Sequence, residues 1–163
     1  MIKIRLTLLF AFVFLNATAQ NQNLSSKGIE TLKIEFRSFY DKKYEISPKE
    51  FTKLGYHFIN KLDSIIKRNK QLKKKKNLKK KIKFDLQEIR ELKAKAMLNL
   101  MYYGFGISNN LDSINYYRNE ILSITNDKEL RSKSYGISGW ANYILKNNAK
   151  SIEYYTEALQ ILE

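Results

Sequence analysis

Three groups of residues have types and spacings that can support chemistry, and the first is His57. It is the single histidine, and the chain has no cysteine. A histidine pair for a metal, a thiolate metal site, a cysteine nucleophile and a serine–histidine relay with a second base are therefore excluded. Because His57 lies among Tyr56, Phe58 and Ile59, we expect it to be a packed or half-exposed helix residue rather than a catalytic base.

The other two groups are a pair of carboxylates and a glycine motif. Glu88 and Glu91 lie one helical turn apart beside Arg90, so surface ion pairing explains them better than paired-carboxylate catalysis. Gly104-Phe105-Gly106 matches a fragment of a phosphate-binding loop, but it ends a predicted helix and does not follow a strand. It therefore predicts a helix stop. The sequence indicates no catalytic residue, no metal ligand and no cofactor.

Apolar residues at helical spacing predict an all-α fold of about six helices, which must position these side chains. The chain contains one proline and six glycines, which disfavours a turn-rich sheet. Ser47-Pro48-Lys49-Glu50 has the residues of a capping box at the start of the second helix, which we expect to bury Leu54 among its apolar residues. Asp127 is the expected N-cap of the fifth helix.

Residues 1–19 have the three parts of a secretory signal peptide. Lys3 and Arg5 form its positive start, Leu6 to Leu15 is a nearly continuous apolar core, and Ala17-Thr18-Ala19 precedes the expected cleavage site. Ten residues of helix span roughly 15 Å, about half of the ~30 Å hydrocarbon layer of a membrane. We therefore expect a cleaved, exported, periplasmic protein. The alternative is an uncleaved anchor in the inner membrane, facing the periplasm.

The net charge of +14 is concentrated between Lys67 and Lys83. This segment carries eleven basic residues and no acidic one, so +3 remains for the rest of the chain. A solvated helix end and connection explains it most simply, and binding to an anionic surface or partner is the alternative. The segment has no aromatic residue to stack on bases, and an exported chain does not meet nucleic acid. We expect no nucleic-acid partner for the mature chain.

Internal echoes divide the chain into helix pairs. Ser151-Ile152-Glu153-Tyr154-Tyr155 follows Ser113-Ile114-Asn115-Tyr116-Tyr117 by thirty-eight residues, and Leu62-Asp63-Ser64-Ile65 is a fainter echo of Leu111-Asp112-Ser113-Ile114. We expect residues 20–83 to form a degenerate helical hairpin with a lysine-rich connection. Residues 84–163 are expected to form two further pairs.

The final pair, residues 133–163, resembles a tetratricopeptide repeat. That pattern spaces a large aromatic residue, a glycine four residues on, a small residue twelve further, an aromatic four later and an alanine three after that. Its five positions are occupied here by Tyr135, Gly139, Ser151, Tyr155 and Ala158. The preceding pair matches less fully, with Ser113 and Tyr117 in place but Met97, Met101 and Glu120 at the other positions.

The resemblance implies an antiparallel helix-hairpin solenoid in which Gly139 permits the close approach of the paired helix. It also implies that the first helices of the pairs line a concave groove. Two sets with spacings of three, four and three would line it: Lys95, Leu98, Tyr102 and Phe105, then Lys133, Gly136, Trp140 and Tyr143. Aromatic area flanked by lysine suits an extended peptide or a helix with an acidic end. The alternative is that Trp140 is an ordinary core residue between repeats.

Exported chains with degenerate repeats are similar to the input domains of bacterial membrane sensor kinases and membrane-tethered helix-turn-helix regulators. We therefore predict a non-enzymatic module that binds a protein or peptide, as the sensory or scaffold part of a signalling protein. The alternative is a basic adaptor that acts through Lys67 to Lys83. The last helix is expected to carry an apolar face at Ile152, Tyr155, Leu159 and Leu162 with no helix after it, so we expect truncation before a membrane-spanning and output region. The alternative is a partner at that end.

Overall fold

The computed structural model describes residues 26–74, 86–106 and 110–163. The predicted signal peptide and the part of the lysine-rich connection after Lys74 lie outside these ranges. Within them the chain is all-helical and has no strand, as the sequence predicts. The helices are α1 (Ser26–Asp41), α2 (Pro48–Lys74), α3 (Leu86–Asn99), α4 (Leu111–Ile124), α5 (Lys128–Ile144) and α6 (Asn148–Leu162). A 3-10 turn, Lys42–Tyr44, follows α1, and a π-helical segment, Leu100–Gly106, continues α3.

Side chains cap four of the helices. At the start of α2, the Glu50 backbone N–H donates to Ser47 Oγ at 3.3 Å and the Ser47 backbone N–H donates to Glu50 Oε2 at 3.1 Å, which completes the predicted capping box. Asp127 Oδ1 accepts the backbone N–H three residues on at 2.9 Å and caps α5, also as predicted. Asn110 and Asn147 cap α4 and α6 in the same way. These boundaries are therefore encoded locally.

The helices pack in chain order around α3. Contacts join α2 to α3, α3 to α4, α4 to α5 and α5 to α6, and further contacts join α1 to α3 and α3 to α5. The middle position of α3 explains why its small and apolar residues Ala94, Ala96 and Met97 are buried, together with Leu100 and Met101 of the π segment. One continuous apolar core runs from α1 to α5.

Two glycines let α2 approach the π segment closely. A Cβ at Gly55 of α2 would lie 2.4 Å from Leu100 Cδ2, and a Cβ at Gly104 would lie 2.7 Å from Thr52 Oγ1. Larger side chains at these positions would push the two elements apart. The crossing also corrects one prediction, because Leu54 is 40% exposed and Gly55 occupies the buried position beside it. A hydropathy pattern passes over glycine, so it assigned the inward position to the neighbouring leucine.

The α5–α6 pair is held by the residues that resemble the repeat pattern. A Cβ at Gly139 would lie 3.1 Å from the Tyr155 ring, so the close approach expected at this glycine is present. Ser151 Oγ donates to the Gly139 carbonyl at 2.9 Å, and Ser132 Oγ donates to the Ala158 carbonyl at 2.8 Å. Both bonds are buried, so each hydroxyl would lose its partner if the helices separated.

None of the helices in the described ranges combines the length and the apolarity needed to cross a membrane.

Candidate functional site

The two predicted groove sets meet at Tyr102 and Trp140. Their rings stack with centroids 5.2 Å apart and an angle of 29° between the ring planes. Tyr102 is 43% exposed, and Trp140 is half-buried and packs against the core. Lys95, Lys133 and Tyr143 are exposed on the same helices. The structure thus joins the π segment and α5 through an accessible aromatic contact.

Other members of the predicted groove lie elsewhere. Phe105 is buried and stacks on Tyr117 with centroids 5.7 Å apart, so the structure places it in the core rather than on the groove face. The π segment explains this difference, because its i→i+5 hydrogen bonds put more residues into each turn and rotate Phe105 away from the face that α-helical spacing predicts. Leu98 is also buried. Gly136, by contrast, lies beside open space, because a Cβ there would meet nothing within 4 Å beyond its chain neighbours and its own helix backbone.

The aromatic surface continues beyond the predicted residues, toward α1. The Tyr103 ring packs edge-on against the rings of Tyr102 and Tyr44, with ring centroids 4.7 Å and 5.6 Å apart. The hydroxyl oxygens of Tyr44 and Tyr103 are hydrogen-bonded at 3.0 Å. Lys43 Nζ lies 3.3 Å from the centroid of the Tyr40 ring. We call this run of linked side chains the aromatic band, and it comprises Tyr40, Tyr44, Tyr103, Tyr102 and Trp140. Sequence reasoning did not assign Tyr40, Tyr44 and Tyr103 to this surface, because Tyr44 and Tyr103 meet across fifty-nine residues of sequence.

Lys43 places a positive charge within the aromatic band. Its ammonium lies 4.9 Å from the Tyr44 ring and 5.1 Å from the Tyr103 ring, in addition to the closer Tyr40 ring. Desolvation opposes the charge on Lys43, but hydrogen bonds to Tyr40 and Tyr103 outweigh it and raise its pKa. Burial, followed by the hydrogen bond with Tyr44, raises the pKa of Tyr103. At neutral pH the band therefore contains a charged Lys43 beside a neutral Tyr103.

A separate cleft of about 390 Å³ lies between α2, α3 and α4, and none of its lining residues belongs to the aromatic band. At its side the buried Lys93 places its Nζ 2.6 Å from Asp63 Oδ1 and 3.7 Å from Glu120 Oε2. Asp112 also lines the cleft and lies in the first turn of α4, where a negative charge stabilises the helix end. In the sequence, the similarity between residues 62–65 and 111–114 aligns Asp63 with Asp112, and this was the feature that could have pointed to the cleft. These charges have structural partners, so the cleft is the weaker candidate site.

Of the residues first considered for chemistry, His57 lies at the surface, and Glu88 and Glu91 have side-chain partners. His57 is exposed on α2. Glu88 Oε1 lies 2.5 Å from Nζ of Lys33 in α1, and Glu91 Oε1 accepts a hydrogen bond from Gln87 Nε2 at 3.1 Å. Ion pairing at Glu88 was expected, but its partner comes from another helix rather than from its own. Among the described residues, no group of three or more histidine, aspartate and glutamate side chains could hold a metal ion.

The residues that match the repeat pattern pack between helices and do not line the aromatic band. Ser151 and Ala158 are buried against α5, as described above, and the Tyr135 ring lies 6.1 Å from that of Tyr154 on α6. In the preceding pair, the Ser113 backbone N–H donates to the Asn110 side chain at the start of α4. These positions therefore build the scaffold that presents the band.

No protein-family model, no curated protein and no solved structure matches the chain.

Proposed function

We propose that this chain is a non-enzymatic binding module that takes an extended peptide, or a helix of a partner protein, along the aromatic band. The stacked pair of Tyr102 and Trp140 carries the proposal, because it joins two helical elements into one solvent-accessible aromatic surface. The resemblance to a tetratricopeptide repeat supports it, since that family binds peptides on the corresponding face. A solenoid arrangement is part of the proposal, and the contacts of α3 with both α1 and α5 support it.

The chemistry of the aromatic band favours a ligand with both apolar and acidic groups. Stacked rings at a surface provide large contact areas with little loss of side-chain freedom, and such residues dominate the binding energy of many interfaces. Lys43 lies within the band and Lys95 is exposed two turns before Tyr102. Lys133 is ion-paired with Glu129, so Lys43 and Lys95 are the better candidates to attract carboxylates. We infer an extended acidic peptide that carries apolar side chains.

The location proposed for this activity follows from the sequence. The signal-peptide pattern of residues 1–19 supports export to the periplasm, and the repeat resemblance supports a sensory or scaffold role in a bacterial signalling protein. A second candidate is a basic adaptor for an anionic surface, favoured by the exposed Lys67, Arg68 and Lys70 on the last turns of α2. Binding of that kind falls steeply with salt and disappears when these residues become glutamine.

The deciding experiment screens the purified chain against a library of extended peptides that contain acidic and aromatic residues. Trp140 is the only tryptophan, so its fluorescence reports directly on the proposed site. Truncation of a central aromatic anchor commonly costs about 2 kcal/mol or more of binding free energy. Trp140→Ala and Tyr102→Ala are therefore each expected to lower the affinity for the selected peptide by about thirtyfold. For these variants, binding is followed by the anisotropy of a labelled peptide.

Tyr116→Ala is the matched control for these substitutions. Tyr116 is 59% exposed, but it lies on α4 and lines the separate cleft. The control should retain the wild-type affinity, and circular dichroism should show unchanged helix content in all three variants. Wild-type affinity in both Trp140→Ala and Tyr102→Ala would overturn the proposal. Loss of affinity in Tyr116→Ala alone would assign binding to the cleft instead.

A further inference from the structure

The cleft between α2, α3 and α4 gathers aromatic and acidic side chains that lie at helical spacing on two of its walls. Each wall contributes residues three or four positions apart: Tyr56, Asn60 and Asp63 from α2, then Asp112, Tyr116 and Glu120 from α4. Such spacings place side chains along one face of a helix. The cleft volume of about 390 Å³ lies within the usual range of about 300–1,000 Å³ for sites that bind small molecules.

The cleft is acidic although the chain is strongly basic. Three carboxylates and the Lys93 ammonium line it, which gives a formal charge of −2, whereas the whole chain carries +14. Lys93 is buried and paired with Asp63 and Glu120, yet those two side chains remain 48% and 36% exposed. Asp112 is exposed and makes no ion pair within the described residues. The carboxylates therefore retain oxygen atoms that can accept hydrogen bonds from a ligand.

Three tyrosine rings form a continuous aromatic wall in the same cleft. The Tyr117 ring lies between those of Tyr56 and Tyr116, with centroids 6.4 Å and 5.1 Å away. Tyr56 and Tyr116 are 43% and 59% exposed. In the described part of the chain, the lysine and arginine groups that lie over tyrosine rings all lie over tyrosines outside the cleft. Tyr56 and Tyr116 can therefore receive a cation from outside the chain.

We propose that this cleft binds a small aliphatic amine, and that a linear diamine matches its charge. The ammonium groups donate hydrogen bonds to the carboxylates, and the alkyl chain packs against Tyr56 and Tyr116, whose ring faces attract cations. A primary amine fits better than a quaternary ammonium, because the carboxylates and the side-chain oxygens of Asn60 and Ser113 accept N–H donors. This site is separate from the aromatic band, and its ligand is opposite in charge to the acidic peptide proposed there.

The first test compares three four-carbon probes that differ in charge, by isothermal titration calorimetry of the purified chain at low salt. Putrescine is the cation, its diol analogue is neutral, and succinate is the anion. Putrescine is expected to bind once per chain and to bind less tightly as salt rises, because charges that are partly exposed are screened. The other two probes should not bind. Since the chain as a whole repels cations, saturable binding of putrescine reports a local acidic site. No saturable binding up to about 10 mM, or equal binding of the diol, would overturn the proposal.

The second test locates the site by removing one charge at a time. Asp112→Asn and Glu120→Gln are each expected to lower the affinity for putrescine by about fivefold, the upper range for a partly exposed charge pair. Glu129→Gln is the matched control, because Glu129 makes the same charge change on α5, outside the cleft, and should keep the wild-type affinity. Circular dichroism should show unchanged helix content in all three variants. Equal losses in all three, or wild-type affinity in both cleft variants, would contradict the site.

The third test separates the ring of Tyr116 from its hydroxyl. Tyr116→Phe keeps the ring face and should bind putrescine as the wild type does, whereas Tyr116→Ala should bind it about threefold or more weakly, because the attraction of the ring for the cation is lost. The same affinity in Tyr116→Ala as in the wild type would overturn the role of the aromatic wall.

Discussion

Substitution of three helical glycines by alanine provides the sharpest test of the packing that presents the aromatic band. Gly55 in α2 and Gly136 and Gly139 in α5 all lack a positive φ, so alanine fits each backbone without strain. The same chemical change therefore meets three different surroundings. Alanine gains about 1 kcal/mol of helix propensity over glycine in a helix interior, and the differences among the three variants report the space at each site.

The expected free energies follow from the contacts of the added methyl group. At Gly136 it meets nothing within 4 Å, so the variant should gain up to about 1 kcal/mol. At Gly139 it lies 3.1 Å from the ring of Tyr155, which is 41% exposed and can shift, so the net change should be about zero. At Gly55 it lies 2.4 Å from Leu100 Cδ2 and 2.8 Å from Leu100 Cγ. Leu100 is fully buried and overpacking costs about 1–3 kcal/mol, so this variant should lose about 1 kcal/mol.

Urea unfolding, followed by circular dichroism and Trp140 fluorescence, measures the three free energies. The expected order of stability is Gly136→Ala, then wild type and Gly139→Ala together, then Gly55→Ala. A Gly55→Ala variant as stable as Gly136→Ala would refute the close crossing of α2 and the π segment. The double variant Gly55→Ala/Leu100→Ala separates packing from general damage, because the added methyl should cost less when Leu100 is shortened.

Three further predictions concern single side chains. Hydrogen bonds from Ser47 lower the pKa of Glu50, so its contribution is present at neutral pH and is lost as pH falls below about 4. In urea titrations Glu50→Gln should have a lower free energy of unfolding than the wild type at pH 7, and this difference should shrink as the pH falls below about 4. A difference that does not change with pH would contradict this. Ser132→Ala removes the buried bond to Ala158 and should cost about 1–2 kcal/mol in urea unfolding. Lys93→Met keeps the side-chain volume and should change the unfolding free energy by less than about 1 kcal/mol, because its acidic partners are partly exposed to water.

The helices and their caps could be predicted from the sequence because their causes are local. The Ser47–Glu50 capping box and the Asp127 cap depend on residues only three apart. The close approach at Gly139 was also predictable, because the resemblance to the repeat pattern implies that the paired helix comes close at this glycine. Tyr155 fills that space in the structure. Local rules therefore suffice where one residue and its near neighbours determine the outcome.

The aromatic band could be predicted only in part because it depends on contacts between distant segments. Tyr102 and Trp140 were found from their helical spacing, whereas Tyr44 meets Tyr103 across fifty-nine residues of sequence. Phe105 was assigned to the wrong surface because the pattern assumed α-helical spacing throughout α3. No residue type marks the change to π-helical hydrogen bonding at Leu100. An assignment of faces from α-helical spacings of three and four residues therefore fails after that residue.

Two adjacent tyrosines of the π segment contribute to one continuous surface. In an α-helix successive side chains point about 100° apart, and here Tyr103 turns toward Tyr44 while Tyr102 turns toward Trp140. The band can pass through the segment because both directions remain accessible beside the core. Leu100 begins this segment and is held by the crossing at Gly55. The packing of α2 therefore sets the position of both rings, and a change at Gly55 is expected to shift them as well as to lower the stability, so it should also weaken the peptide binding that we propose.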